Sequence, residues 1–282
     1  MKRMIQCLAL MAALAWWGSA IAAPPGPASV RDRLEASMVV TGTVDVDATG
    51  STRGFTLDRA DEIPGVVRDV VAASVPHWRF APDGGDVGQR DVQALRMSLR
   101  VVADRIDDEQ YRVMLRSAWF GETGEDRLVR SKKMSPPPYP ADVMRAHGSG
   151  IVYLMLRIDR DGQVADAAVE RTDITRVAND RTMERWRTSL ARSALGAARK
   201  WQFAPPVEGP GVDAGGWVVR VPVTFALTPS AGYGTWTTYV PGERQQVPWA
   251  RPEAGDPLDS LSASGVFQVG SERTLLTPLQ QG

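Results

Sequence analysis

The sequence predicts an α+β fold made of two small domains, each an antiparallel three-stranded sheet with a helix packed on one face. Three observations lead there. The phrase Trp-x-Phe-Ala-Pro is written twice in one register, at Trp78, Phe80, Ala81, Pro82 and at Trp201, Phe203, Ala204, Pro205. A stripe of apolar residues at helical spacing precedes each copy, and a run of strict alternation follows it. Ahead of each stripe, two strand-like runs flank a turn glycine, Gly50 or Gly162.

The first copy occupies residues 38–103. Gly42 to Asp47 and Ser51 to Leu57 read as a hairpin around Ala48-Thr49-Gly50. Val66, Val67, Val70 and Val71 mark a short helix behind Pro64. Leu95, Met97, Leu99 and Val101 alternate with Arg96, Ser98 and Arg100, giving a strand with one face on a core and one wet.

Residues 104–135 link the copies. Alternation of Tyr111, Val113 and Leu115 adds a strand, and Glu122 to Ser135 reads as a charged linker. The second copy, residues 136–228, opens with a short helix that has Pro140 in its first turn and Gly148 at its C′ position. Gly150 to Asp159 and Gln163 to Glu170 form its hairpin, with Gly162 at the position of positive φ. Met183, Trp186, Leu190, Ala194, Ala197 and Trp201 line one helix face, with Arg185, Arg192 and Arg199 outside it. The closing strand alternates Trp217, Val219, Val221, Val223, Phe225 and Leu227 with Val218, Arg220, Pro222, Thr224 and Ala226, again with one face on a core and one wet.

This arrangement explains the repeated phrase. The tryptophan closes the helical stripe and the phenylalanine begins the descent to the sheet. Ala-Pro stops the helix, because proline lacks a donor and disfavours α geometry before it. The phrase is a packing corner, and Trp78, Phe80, Trp201 and Phe203 are expected to be structural. Residues 229–282 are rich in Gly, Pro and polar residues and are expected to pack on the domains through Trp236, Tyr239 and Trp249, with room for one hairpin.

Lys2 and Arg3, the apolar run Met4 to Trp17 and Ala20-Ile21-Ala22 read as a signal peptide, residues 1–22, cleaved after Ala22. The alternative is an uncleaved inner-membrane anchor over Met4 to Ala23. The expected location is the periplasm. With 33 basic and 33 acidic residues the chain shows no basic surplus that would point to nucleic acid.

No catalytic residue, metal ligand or cofactor is expected. Beyond residue 22 the chain has no cysteine and two histidines, His77 and His147, which read as partly buried or dipole-stabilised groups. No nucleophile elbow, zinc motif or phosphate loop is present. Asp159-x-Asp-Gly162 mimics the start of a calcium loop but lacks the third acid and the closing glutamate, which favours a turn.

Tyr139-Pro140, the Gly150 strand, Asp159-x-Asp-Gly162, Ala197-x-x-Lys-Trp-x-Phe-x-Pro205 and Val221-Pro-Val-x-Phe-x-Leu227 occur in order within 136–228. Together they resemble the C-terminal domain of the TonB family of periplasmic energy transducers, and 38–103 resembles a shortened copy without the Tyr-Pro helix. The resemblance implies an α+β module that binds outer-membrane transporters, an extended peptide of the transporter pairing with an exposed strand of the module; the expected partner is such a peptide or another envelope protein. The chain carries no Pro-Glu or Pro-Lys repeat of the kind that lets a transducer cross the periplasm.

Proline cannot donate to a ladder, so Pro222 places the closing strand at a sheet edge with its missing N–H outward. Alternate backbone groups share a side, so Val218, Arg220, Thr224 and Ala226 are the expected partner-binding positions. A homodimer through the same edges is the alternative use. A role as a structural or assembly protein of the envelope, with no energy transduction, is the alternative function.

Overall fold

The computed structural model describes residues 30, 32–82, 92–105, 110–208, 212, 215–228, 232–250, 258, 261, 265–271 and 273–280, and the expected signal peptide lies outside them. From the N-terminus, β1 (Glu35–Asp47) and β2 (Thr52–Leu57) form a hairpin. Helix α1 (Gly65–Ser74) enters behind Pro64 and buries Val67 and Val71. Strand β3 (Val92–Arg105) returns beside β1, and β4 (Tyr111–Glu122) pairs with its far side. Next come β5 (Arg130–Lys133), α2 (Ala141–Arg145), and the hairpin of β6 (Gly150–Ile158) with β7 (Val164–Ile174). Helix α3 (Asp180–Ala198), β8 (Gln202–Ala204), β9 (Trp217–Phe225), β10 (Thr237–Tyr239) and β11 (Phe267–Gln268) complete the chain.

The fold is α+β with antiparallel sheets and few helices. One connectivity occurs twice: β2-β1-β3 around α1, and β7-β6-β9 around α3. Neither sheet stops at three strands. Among the described residues the first has five, because β4 joins β3 and β10 joins β1, and the second has four, because β11 joins β9. Edge strands carry rows of unpaired N–H and C=O groups, and segments outside the repeat supply partners for them.

The helices close two separate cores. Met183, Trp186, Leu190, Ala194 and Ala198 of α3 pack on Val152, Leu154, Leu156, Val219 and Val221. Ala198, rather than Ala197, is the buried alanine of the last turn. Asn179 caps α3, its side chain accepting from Thr182 N at 2.9 Å. In the other core, Val67, Val71 and Val75 pack on Val40, Val44, Leu95, Met97 and Leu99.

The two turn-and-corner units match atom for atom. Gly50 N donates to Asp47 O at 2.9 Å, and Gly162 N to Asp159 O at 3.1 Å. Each glycine carbonyl accepts from the corner phenylalanine, Phe80 N at 2.7 Å and Phe203 N at 2.8 Å. Both glycines have positive φ, +84° and +77°, and at each a Cβ would fall 2.0 Å from the phenylalanine carbonyl. Trp78 and Trp201 are 1% and 3% exposed.

Several local expectations are corrected. The alternate faces of the closing strands are only partly wet: Ser98, Arg100 and Arg220 are buried, while Arg96 and Thr224 are exposed. The sheets turn those faces toward one another, so Trp119 of β4 clusters with Ile151 and Tyr153 of β6 and with Leu258, Leu261 and Phe267 of the C-terminal segment. The order of layers is therefore α1, first sheet, second sheet, α3. A cavity of about 420 Å³ between the sheets is lined by Arg100, Tyr153, Asp173, Tyr233 and Tyr239 among others.

The linker is not featureless, because Arg130–Lys133 forms β5 and pairs with β8. The C-terminal segment forms no hairpin among its described residues; β10 and β11 pair with β1 and β9 instead. At the end of α2 the left-handed residue is His147 (φ 53°), not Gly148. Gly148 is needed for close packing, since a Cβ there would lie 2.7 Å from the Trp186 ring and 2.8 Å from Val143. Among the described residues no helix is long and apolar enough to cross a membrane.

Candidate partner-binding edge

Strand β9 is held on its inner side by β6, with Tyr153 opposite Pro222 and Leu154 opposite Val221. The odd residues Trp217 to Phe225 face the α3 core, and Thr224 is exposed. Ala226, one residue past the strand, is also exposed. On the outer side, Phe267 stands opposite Arg220, Gln268 opposite Val219, and Val269 N donates to Val218 O at 2.9 Å. Strand β11 thus engages the Val218–Arg220 half of the edge, and its described pairing ends before Pro222. The four expected positions are divided. Val218 and Arg220 lie under β11; Thr224 and Ala226 lie beyond it.

The equivalent edge in the first sheet is that of β3. There β4 pairs antiparallel from Leu95↔Glu122 to Arg105↔Tyr111, with one bulge between Arg100 and Val101. Among the described residues, one copy therefore carries a full-length added strand and the other a two-residue one.

The Arg220 side chain has a different task from its backbone. Its Nε donates to Glu170 Oε2 at 2.9 Å, and both side chains are 3% exposed. The same carboxylate accepts from the Arg244 guanidinium. Beside it, Arg171 Nη2 donates to Asp173 Oδ2 at 2.8 Å, and Gly242 N donates to Asp173 Oδ1 at 3.0 Å. Burial raises the Asp173 carboxyl above its ordinary value, against the pull of Arg171. These groups fasten 240–245 along β7, where Gln245 N donates to Glu170 O at 2.7 Å. Sequence reasoning missed this network because its members sit 50 and 74 residues apart.

The other expected residues are placed as follows. Tyr139 donates through its hydroxyl to Gly148 O, and its ring meets Phe225 edge-on at 5.5 Å. Burial raises the pKa of that phenol. Pro140 is the N-cap of α2, and its carbonyl accepts from Met144 N at 2.9 Å. Asp159 spends its carboxylate on the turn, accepting from Asp161 N at 3.0 Å and Gln163 N at 2.8 Å. His77 and His147 are exposed rather than partly buried. Among the described residues no group of three or more His, Cys, Asp or Glu side chains is placed to hold a metal.

No family model matches the chain. Two curated relatives do, both named "Protein TonB", from Xanthomonas campestris pv. campestris strains B100 and ATCC 33913. Each is 38% identical over 100 residues, which is 35% of this chain and 38% of the relative. The chain thus spans under half the length of the curated relatives it matches. Over that third of its sequence, the chain is similar to these two proteins named TonB.

Proposed function

We propose that the chain is a periplasmic, TonB-like binding module that engages an outer-membrane transporter or another envelope protein by strand addition along β9, within TonB-dependent transport. The observation that carries this reading is the internal comparison of the two copies. The outer edge of β3 accepts a complete antiparallel strand, β4, whereas among the described residues the pairing on the matching edge of β9 is that of Phe267–Gln268. A partner's strand would extend or replace β11, taking its affinity from main-chain bonds and its selectivity from side chains beside Thr224 and Ala226. Division of the chain into 38–103, 104–135, 136–228 and 229–282, export with loss of residues 1–22, and a non-catalytic role all belong to this proposal.

A second reading has its own support. The C-terminal segment holds both outer edges of the second sheet, through β11 on β9 and through Val240 and Gln245 on β7. That suits an assembly protein whose edges are closed by its own chain. Photo-crosslinkers at Thr224 and Ala226 in intact cells separate the readings. Capture of an outer-membrane protein supports strand addition. Capture of a second copy alone supports an edge-to-edge homodimer, and no capture supports the assembly role.

A further inference from the structure

We propose that the outer face of α3 is a docking ridge for an anionic phospholipid surface. The observation is a line of four arginines. Arg181, Arg185, Arg192 and Arg199 are all exposed. At about 100° per residue they fall within roughly 40° of one another around the helix. They run along about 27 Å of its axis, at intervals of about 6 and 10 Å. Arg199, the C-cap residue, still has helical backbone angles (φ −61°, ψ −12°).

The acidic residues of the helix do not neutralise this ridge. Asp180 is paired with Arg33 and Glu184 with Arg187, and none of the four ridge arginines makes an ion pair with a described residue. Arg185 reaches only the Thr182 hydroxyl, at 3.3 Å.

Helix stability does not explain the pattern. Arg181 stands in the first turn, where the macrodipole disfavours a cation. Arg181 and Arg185 form a like-charged i,i+4 pair, which opposes helix formation. The fold does not require the ridge either, because α1 occupies the same place in the first copy and carries only Arg68, next to Asp69.

Geometry and chemistry together name the occupant. Helix α3 is the outermost layer, so a straight ridge on it can lie flat against a plane and meet several headgroups at once. Guanidinium binds phosphate through two parallel hydrogen bonds, which suits four arginines and no lysine in the line. The chain's overall charge balance means that the attraction cannot come from a net positive charge and must come from a local cluster such as this ridge. The inference stands apart from strand addition, since α3 and the β9 edge lie on different parts of the second unit.

The test uses the full chain with phosphatidylcholine vesicles, with and without a minor fraction of phosphatidylglycerol. Binding is expected to be tighter to the anionic vesicles and to weaken with salt. Each arginine replaced by glutamine lowers that affinity about fivefold, and replacement of all four lowers it roughly several-hundredfold. Binding to neutral vesicles and the far-ultraviolet circular dichroism remain unchanged, and Arg68→Gln on α1 has no effect. Equal affinity of the four-fold variant and the unaltered chain overturns the proposal, as does an equal loss in Arg68→Gln. If ridge-dependent binding is found with soluble polyglutamate and not with the vesicles, the occupant is an acidic polypeptide and the lipid assignment fails.

Discussion

Trp78 and Leu279 are 201 residues apart, yet the indole N–H of one donates to the carbonyl of the other at 3.0 Å. The second copy repeats the relationship with different chain: the Trp201 indole donates to Ser135 O at 2.8 Å. Phe80 bridges antiparallel to Leu275, and Phe203 to Ser131. In both cases the accepting carbonyl lies four residues beyond the bridge. Each corner is thus clamped by an extended strap, drawn from the C-terminal segment in one copy and from β5 and the residues after it in the other.

The first prediction follows from the straps. Trp78→Phe and Trp201→Phe should each cost about 0.5–1.5 kcal/mol for the lost hydrogen bond, plus the lost ring area. Trp201→Ala should cost about 3–5 kcal/mol. Removing residues 273–282 should destabilise the first unit beyond the Trp78→Phe effect, since Arg273 N also donates to Phe120 O at 2.8 Å and Ala81 N to Thr274 O at 2.9 Å. Urea denaturation decides; a truncated chain with an unchanged midpoint would show the strap to be idle.

A second prediction concerns the paired turns. Gly50→Ala and Gly162→Ala should each destabilise by about 2 kcal/mol or more, because each combines positive φ with a Cβ pressed against the phenylalanine carbonyl. Gly196→Ala, where a Cβ would meet nothing within 4 Å on a helix, should stabilise by about 0.5–1 kcal/mol. Thermal unfolding of the three variants tests the contrast, and a neutral Gly162→Ala contradicts it.

The end of α2 gives a third. His147→Gly should stabilise, by about 1 kcal/mol, since only the left-handed backbone is at issue in an exposed residue. Gly148→Ala should destabilise, because the Trp186 ring and Val143 would have to move. The opposite ordering of the two midpoints would return the left-handed position to Gly148.

These sites show what the sequence disclosed and what it hid. Alternation in β1, β3 and β9 and the apolar stripe of α3 are local patterns, and so is the twice-written corner. Local periodicity says which residues turn one way, and it cannot say what covers the other side. Arg100 and Arg220 looked like members of wet faces because their partners, Tyr239 and Glu170, lie far along the chain. The straps and β11 escaped for the same reason. A two-residue strand such as Phe267–Gln268 has no period to read.

A fourth prediction uses the buried acid. Asp173 has its carboxyl raised by burial, so the folded state holds that proton more tightly than the unfolded chain does. Its contribution is therefore fully present below the ordinary carboxyl value of 3.8 and is lost as pH rises through the raised folded value. The charges facing it are those of Arg171 and Arg100. Relative to Asp173→Asn, which cannot titrate, the unaltered chain should gain stability on acidification across that window. A difference that is constant with pH would mean that Asp173 titrates normally.

The last prediction concerns the edge of β9. Pro222 cannot donate to any strand laid along the outer side, and it divides the edge into a half under β11 and a half beyond. If a partner's strand extends β11, it must bond to the backbone around Thr224, on the same side as Val218. Thr224→Pro removes a donor there and should lower capture of an envelope partner at least tenfold, with the fold intact by circular dichroism. If the partner instead replaces β11, loosening β11 should raise capture. Phe267 anchors that strand, its ring meeting Trp119 edge-on at 5.2 Å, so Phe267→Ala is the variant to use. A rise with Phe267→Ala and a fall with Thr224→Pro means displacement along the whole edge. A fall with both means that β11 is the first rung of the partner's ladder. Capture unaffected by either variant removes β9 as the binding edge, and with it the proposed mode of engagement.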